Sequence, residues 1–204
     1  MVGSSSHGDP GSESASGPVN AGALIGVVLT ALGTATSMTV LWLAMRAVLA
    51  LGGFVASGGP YVIAHQAPTW VWLLPVSIVL LIVCMFASQE LNSSFETPSL
   101  MLVAWSMLFL SLGWNFLESG LHAPGGGGLS VGWLVSAAAF FATGGGGLYA
   151  LSQAIQVNRE FDRKKEEKTG VPSRPGFAVY LGATVLAIAA GIPLGVLVFN
   201  IAAR

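Results

Sequence analysis

The sequence predicts an all-α, polytopic membrane protein with five transmembrane helices, its N-terminus inside the cell and its C-terminus outside. Of its 204 residues, 53% are apolar and 8% are charged, and the mean hydropathy is +0.75. In soluble domains, charged residues make up about a quarter of the total. Five continuous apolar stretches each reach the roughly 20 residues that cross a hydrocarbon layer about 30 Å thick. None shows the alternation of a barrel strand, so helices are expected.

The chain opens with a polar segment, residues 1–18, that is rich in Ser and Gly and contains Asp9 and Glu13 but no Lys or Arg. This composition predicts a disordered tail. A secretory signal needs a basic region before its apolar core, so the first apolar stretch is expected to remain in the mature protein. Residues 19–204 are then expected to form a single transmembrane helical domain.

The first two spans are bounded by turn-forming and capping residues. Span 1, residues 21–51, begins after Pro18 and is long enough to tilt or to project from the bilayer. Span 2, residues 70–88, has Thr69 as a candidate N-cap and Pro75 near its first turn, where a missing N–H costs least. Both stretches are therefore predicted to be helices.

Three further spans follow. Span 3, residues 99–117, follows Thr97, a candidate N-cap that precedes a proline. Span 4 covers residues 131–156, and span 5 covers residues 177–203 with Pro193 able to kink it. The charged segment after span 4 mixes basic and acidic side chains at spacings of three and four, which predicts a helical extension past the membrane face.

The basic residues predict the orientation. Six of the eight Lys and Arg residues lie in the connector between spans 4 and 5, which the positive-inside rule places in the cytoplasm. Counting back through four crossings places the N-terminus inside and Arg204 outside. Arg46, near the outer end of span 1, must then extend to the interface or find a partner. A re-entrant segment at residues 55–64 would change the count.

Composition also excludes several function classes. A net charge of −1 gives no basic field for nucleic acid, so no nucleic-acid partner is expected. Cys84 is the only cysteine, so no disulfide can form within one chain. The spans contain essentially no ionisable residue well inside the hydrocarbon layer, which argues against ion-coupled transport.

One set of residues could bind a metal or a cofactor. His65 and His122 fall in the two connectors placed outside, and Glu118 lies close to the second. Two imidazoles and a carboxylate could ligate a metal, or the two histidines could be axial ligands of a haem. However, helical metal motifs place histidines three or four residues apart, whereas His65 and His122 lie in two different connectors. The alternative is two interfacial histidines bonded to water or backbone. The sequence requires no cofactor, although it leaves room for a haem or a pigment.

Glycines at short spacing predict close helix packing, because a missing side chain lets another backbone or a lipid approach. Three pairs are four residues apart, and those in spans 1 and 5 fit close helix contacts. A run of four lies inside span 4, where local unwinding is the functional alternative. The glycines predicted to pack helices are Gly22, Gly26, Gly144, Gly145, Gly146, Gly147, Gly191 and Gly195.

These features favour a non-catalytic integral membrane subunit, an accessory or scaffold component of a larger complex in the cell membrane. An energy-transducing complex is one class that fits. Its expected partners are the lipid bilayer and other membrane subunits, for which the apolar connector at residues 52–70 offers a surface. Two alternatives remain open. One is an oligomeric channel or uncoupled transporter for a small neutral or lipidic solute. The other is a haem- or metal-bearing redox subunit.

Overall fold

The computed structural model describes residues 19–50, 68–122, 128–170 and 176–204, which form five helices long and apolar enough to cross a membrane. These ranges contain no strand. The all-α prediction and the multi-pass membrane class are therefore confirmed, while the side on which each terminus lies stays a prediction. The helices are α1 (Ala21–Ala50), α2 (Leu73–Phe95), α3 (Met101–Leu121), α4 (Val131–Thr169) and α5 (Phe177–Ala202), with a short 3-10 turn (Thr69–Trp72) before α2.

Helix α1 is the central element and contacts α2, α3 and α5. It runs parallel to α5. At the start of both helices the backbone N–H of Asn20 donates to the Tyr180 hydroxyl over 3.1 Å. At their other ends Val48 of α1 and Phe199 of α5 pack in one apolar cluster with Trp70. A parallel α1–α5 pair is what four intervening changes of direction require.

The α1–α5 interface depends on two glycines of α5. A Cβ added to Gly191 would lie 2.6 Å from the Cβ of Ala35 and 2.8 Å from the backbone oxygen of Leu32. A Cβ at Gly195 would meet α1 as closely. The Thr36 hydroxyl donates to the Gly191 carbonyl over 3.2 Å. The two backbones therefore touch, as small residues four apart allow.

Helices α3 and α4 form an antiparallel hairpin. An aromatic cluster packs between them near the end of α3 and the start of α4. Phe116 of α3 stacks on Trp133 of α4 with ring centroids 5.4 Å apart, and meets Phe140 edge-on at 4.9 Å. Leu49 of α1 joins this cluster. Aromatic pairs of this kind add about 0.5–1.5 kcal/mol beyond the area they bury. The hairpin is thus joined to α1 where α1 and α3 end.

A tight turn joins α2 to α3. Glu96 adopts a left-handed backbone (φ 53°) and its N–H donates to the Asn92 carbonyl over 3.0 Å. The side-chain amide of Asn92 donates to the backbone oxygen of Thr97. The Ser88 hydroxyl accepts the backbone N–H of Leu100 over 3.1 Å. Side chains of α2 therefore satisfy the polar backbone groups at the start of α3.

Two predicted caps are wrong. Thr97 is not the cap of α3, because the helix begins at Met101, where Ser88 accepts the N–H of the preceding residue. The Thr97 hydroxyl is buried without a hydrogen-bond partner among the described residues. Thr69 does not cap α2 either, since it begins the short 3-10 turn. At α3 a side chain of α2 satisfies the backbone, which sequence spacing does not show, and at α2 a 3-10 turn precedes the helix.

Two helices extend past the apolar stretches that predicted them. Helix α2 continues through Gln89 to Phe95, and α4 continues to Thr169, which confirms its helical extension. Within that extension Arg163 and Glu167 lie 3.7 Å apart. The four glycines at 144–147 stay inside this continuous helix, so the expected alternative of local unwinding is not what the fold shows. Helix α5 likewise runs through Pro193 as one helix.

Replacing Ser88 with alanine is expected to destabilise the α2–α3 corner by about 1–3 kcal/mol, because it leaves the buried N–H of Leu100 unpaired. Denaturant titration in detergent micelles measures the change. Ser93→Ala is the matched control, since that exposed hydroxyl bonds to the Glu90 carbonyl of its own helix. Equal stability of the two variants would contradict the role given to Ser88.

Candidate functional site

A cavity of about 290 Å³ lies between the C-terminal ends of α1 and α3. Each helix forms one wall of the cavity, and the two walls differ in polarity. The wall from α1 is apolar except for one guanidinium, and the wall from α3 is polar throughout. The lining residues are Arg46, Leu49, Ala50, Asn115, Glu118, Ser119 and His122.

The polar wall follows from helical spacing in α3. Asn115, Glu118, Ser119 and His122 stand at positions i, i+3, i+4 and i+7, which lie on one face of a helix. Phe116, next to this stripe, packs into the aromatic cluster with α4. Docking of that cluster therefore turns the polar stripe towards α1, where Arg46 stands.

Arg46 and Glu118 form an ion pair across the cavity. Nη2 of Arg46 donates to Oε1 of Glu118 over 2.8 Å, and the guanidinium carbon lies 5.5 Å from the centre of the Trp42 ring. The expectation that Arg46 needs a partner is confirmed. The two side chains are 46% and 45% exposed, so the pair contributes only about 0–1 kcal/mol to stability.

Asn115 is the feature of this cavity that packing alone does not explain. The residue is 2% exposed, and neither its Nδ2 nor its Oδ1 has a hydrogen-bond partner among the described residues. A buried polar group left unpaired costs about 1–3 kcal/mol. Native proteins seldom leave such groups unpaired, so the amide of Asn115 requires a partner that the described residues do not supply, either water or a bound molecule.

Of the three predicted ligands, two line the cavity. Glu118 is held by Arg46, and His122 is exposed at the end of α3, where its backbone N–H donates to the Glu118 carbonyl over 2.9 Å. His65 lies outside the described residues. Within the described ranges no group of three His, Cys, Asp or Glu residues could hold a metal ion. The metal or haem site as a whole stays a prediction.

Several of the predicted packing glycines face a neighbouring helix. A Cβ added to Gly26 would lie 3.0 Å from the side chain of Leu91 in α2. A Cβ at Gly144 would lie 2.7 Å from Cγ of Leu110 in α3, and Gly147 also faces α3. With the two glycines of α5 that touch α1, these positions let helices of this chain approach closely.

The remaining predicted glycines face away from the chain. A Cβ added to Gly22 would meet only the side chain of Asn20, at 3.2 Å. Additions at Gly145 and Gly146 would meet no atom within 4 Å. Their predicted role in packing therefore has no counterpart among the described residues of a single chain. Gly145 and Gly146 lie on the surface of α4 that no described residue of this chain covers, so a helix packed against them would have to come from another chain.

That surface is a broad face of small and polar side chains, hereafter the small-residue face of α4. Its members lie in two adjacent helical rows and all are exposed. Tyr149 is the one aromatic side chain among them, and the exposed Val135 and Val157 continue the same rows at the two ends of the face. The face comprises Ala138, Ala139, Ala142, Thr143, Gly145, Gly146, Tyr149, Ala150, Ser152, Gln153 and Gln156.

No protein-family model matches this chain, and no curated protein or solved structure resembles it significantly. The functional conclusions therefore depend on the geometry of the described residues. Two features carry them. One is the cavity between α1 and α3 with its unpaired Asn115, and the other is the small-residue face of α4.

Proposed function

We propose that this chain is a non-catalytic integral membrane subunit of a larger complex in the cell membrane, and that the small-residue face of α4 contacts a transmembrane helix of another subunit. The observation that carries the proposal is a contrast between exposed surfaces. Between Ala138 and Gln156 the small-residue face of α4 is uncovered and carries Tyr149 as its single large apolar side chain, whereas the uncovered surfaces of α2 and α5 consist mainly of large aliphatic residues.

Lipid and protein neighbours favour different surfaces. Acyl chains are as apolar as leucine, so helix association in a membrane depends on close packing, which small residues permit. Helix α5 exposes Val185, Leu186 and Leu197, the kind of side chain that packs against lipid. Helix α4 exposes Gly145 and Gly146, where a second backbone could approach as α5 approaches α1.

The hydrogen-bonding groups of the small-residue face also favour a protein neighbour. The hydroxyls of Thr143 and Ser152 bond to carbonyls of their own helix. The amides of Gln153 and Gln156 have no such partner in the described part of the chain. Amides on a membrane helix commonly bond across to a neighbouring helix. A partner helix would satisfy these groups where lipid would not.

The length of α4 supports a contact that continues outside the bilayer. Of its 39 residues, about 13 follow Gln156, and at 1.5 Å per residue they reach about 20 Å beyond the apolar segment. Helix α4 is also the least buried of the five spans, whereas α1 is the most buried. A long and sparsely covered helix is a natural attachment surface for a neighbouring subunit.

Site-specific photo-crosslinking in native membranes tests this proposal. A photoreactive residue at Ala142 or Gly146 is expected to give one discrete adduct with a different membrane protein, and Gly145→Leu is expected to abolish the adduct from Ala142. Photoreactive residues at Val185 and Leu186, which are exposed on α5, serve as matched controls and are expected to label lipid.

Two results would contradict the proposal. Lipid adducts alone from both helices would show that α4 faces the bilayer. Adducts between two copies of this chain would favour the alternative, an oligomeric channel or uncoupled transporter, because the face would then hold identical subunits together.

A further inference from the structure

We infer that the cavity between α1 and α3 binds a zwitterionic phosphoethanolamine group, presented as the headgroup of a membrane phospholipid. The inference is independent of the proposed contact at α4, because the described residues that line the cavity belong to α1, to α3 and to the position that follows α3. It starts from the two side-chain atoms of Asn115 that have no partner among the described residues. Nδ2 needs an acceptor and Oδ1 needs a donor, and both must lie in the same small space.

The chemistry of Asn115 selects the kind of ligand. Its Nδ2 carries two N–H donors, and its Oδ1 is an acceptor. A phosphate offers only acceptors to Nδ2, and an ammonium offers only donors to Oδ1. A ligand that carries both groups a few atoms apart satisfies both ends of the amide, which neither a simple anion nor a simple cation does.

The charged walls select the same chemistry. Arg46 uses one N–H on Glu118, and the other N–H groups of its guanidinium have no acceptor among the described residues. Oε2 of Glu118 likewise has no donor among the described residues. An anion alone would gain from Arg46 but be repelled by Glu118, and a cation alone would meet the reverse. A zwitterion binds to both, with its phosphate towards Arg46 and its ammonium towards Glu118.

The position of the cavity favours a lipid as the source. The cavity lies at the ends of two spans, and Arg46 is four residues before the end of α1. Trp42 touches the guanidinium, and Trp114 is exposed close to Asn115 on α3. Tryptophans of this kind mark the depth of the headgroups. At that depth a phospholipid headgroup is the abundant zwitterion.

The volume fits a headgroup better than a larger molecule. The cavity volume of about 290 Å³ lies just below the range for small-molecule sites, which begins near 300 Å³. Leu49 and Ala50 supply an apolar wall on the side of α1, suited to the glycerol end of the lipid. The polar stripe of α3 supplies the opposite wall.

Native mass spectrometry of the full chain in nanodiscs tests the inference. Nanodiscs contain phosphatidylethanolamine, phosphatidylcholine or phosphatidylglycerol, and retained lipid is counted after detergent exchange. Phosphatidylethanolamine is expected to be retained about tenfold better than the other two, since the loss of one charge-assisted hydrogen bond corresponds to about that factor. Equal retention of the three lipids would overturn the inference.

Variants separate binding from folding. Asn115→Leu is expected to lower retention of phosphatidylethanolamine about tenfold, whereas Asn200→Leu, the same amide-to-aliphatic change at an exposed position of α5, is expected to leave it unchanged. Glu118→Gln removes the negative wall and is expected to shift preference towards phosphatidylglycerol. A purely structural role for these residues would not change lipid preference, so an unchanged preference in Glu118→Gln would contradict the inference.

The source of the ligand has its own test. Free phosphoethanolamine at millimolar concentration is added to the delipidated chain, and thermal unfolding is followed. A small shift, well below that given by the lipid, is expected. If the free compound stabilises the chain as much as the lipid does, the ligand is a soluble zwitterion and the assignment to lipid is wrong.

Discussion

Replacing Gly191 with leucine is expected to separate α5 from α1 and to destabilise the chain by about 3 kcal/mol or more. The reason is the absence of any space for a side chain. An added Cβ would lie 2.6 Å from Ala35 and 2.8 Å from the Leu32 backbone oxygen. A backbone atom cannot rotate away as a side chain can, so α5 must move outwards and lose the Thr36 hydrogen bond as well.

The measurement is thermal unfolding of the purified chain in detergent, together with protease sensitivity of α5. Gly182→Leu is the matched control, because it lies on the same helix with no atom within 4 Å of an added Cβ. The control is expected to unfold at the wild-type temperature. If Gly191→Leu and Gly182→Leu were equally stable, the close contact of α1 with α5 would be wrong.

Replacing Gly144 with leucine is expected to break the α3–α4 hairpin, whereas the same change at its neighbour Gly145 is expected to leave the fold intact. A Cβ at Gly144 would lie 2.7 Å from Leu110 and 3.0 Å from the backbone oxygen of Ser106. At Gly145 it would meet nothing within 4 Å. The expected loss at Gly144 is again about 3 kcal/mol.

Denaturant titration and size-exclusion chromatography of the two variants check this pair. Gly144→Leu should elute broadly and unfold early, and Gly145→Leu should elute and unfold as the wild type does. The adjacent positions differ little in membrane depth and in helix propensity, so each controls for the other. Loss of fold in Gly145→Leu would show that its side of α4 is already covered within the chain.

The membrane architecture could be predicted from the sequence because the signal is one of length and apolarity. Spans predicted at residues 21–51 and 177–203 match α1 and α5 within one residue at each end. The others end later than predicted. Hydropathy indicates where a helix leaves the lipid, but not where its backbone hydrogen bonds end. It therefore did not predict the continuation of α2 to Phe95.

The candidate site was only partly visible. The location of Arg46 near the end of an apolar span predicted that it would need a partner. Glu118 is 72 residues away in the sequence, and only the fold brings the two together. The importance of Asn115 was missed. The spacing of Asn115, Glu118, Ser119 and His122 on one face of α3 was a signal that could have indicated it.

The glycines show the limit of spacing as a guide. Gly22 and Gly26 share the four-residue spacing of Gly191 and Gly195, yet Gly22 is exposed near the start of α1 and an added Cβ would meet only Asn20. Spacing predicts which residues share a helix face. Which face meets another helix depends on the arrangement of all five spans, which is a property of the fold.

The most direct test of a subunit role is the mass of the assembly taken from native membranes by an amphipathic polymer, without detergent. The expected result is the 20.9 kDa chain with a different membrane protein at fixed stoichiometry. Gly146→Leu is expected to lose that protein, and Gly182→Leu is expected to keep it. A particle holding this chain and lipid alone, in the wild type, would contradict the account.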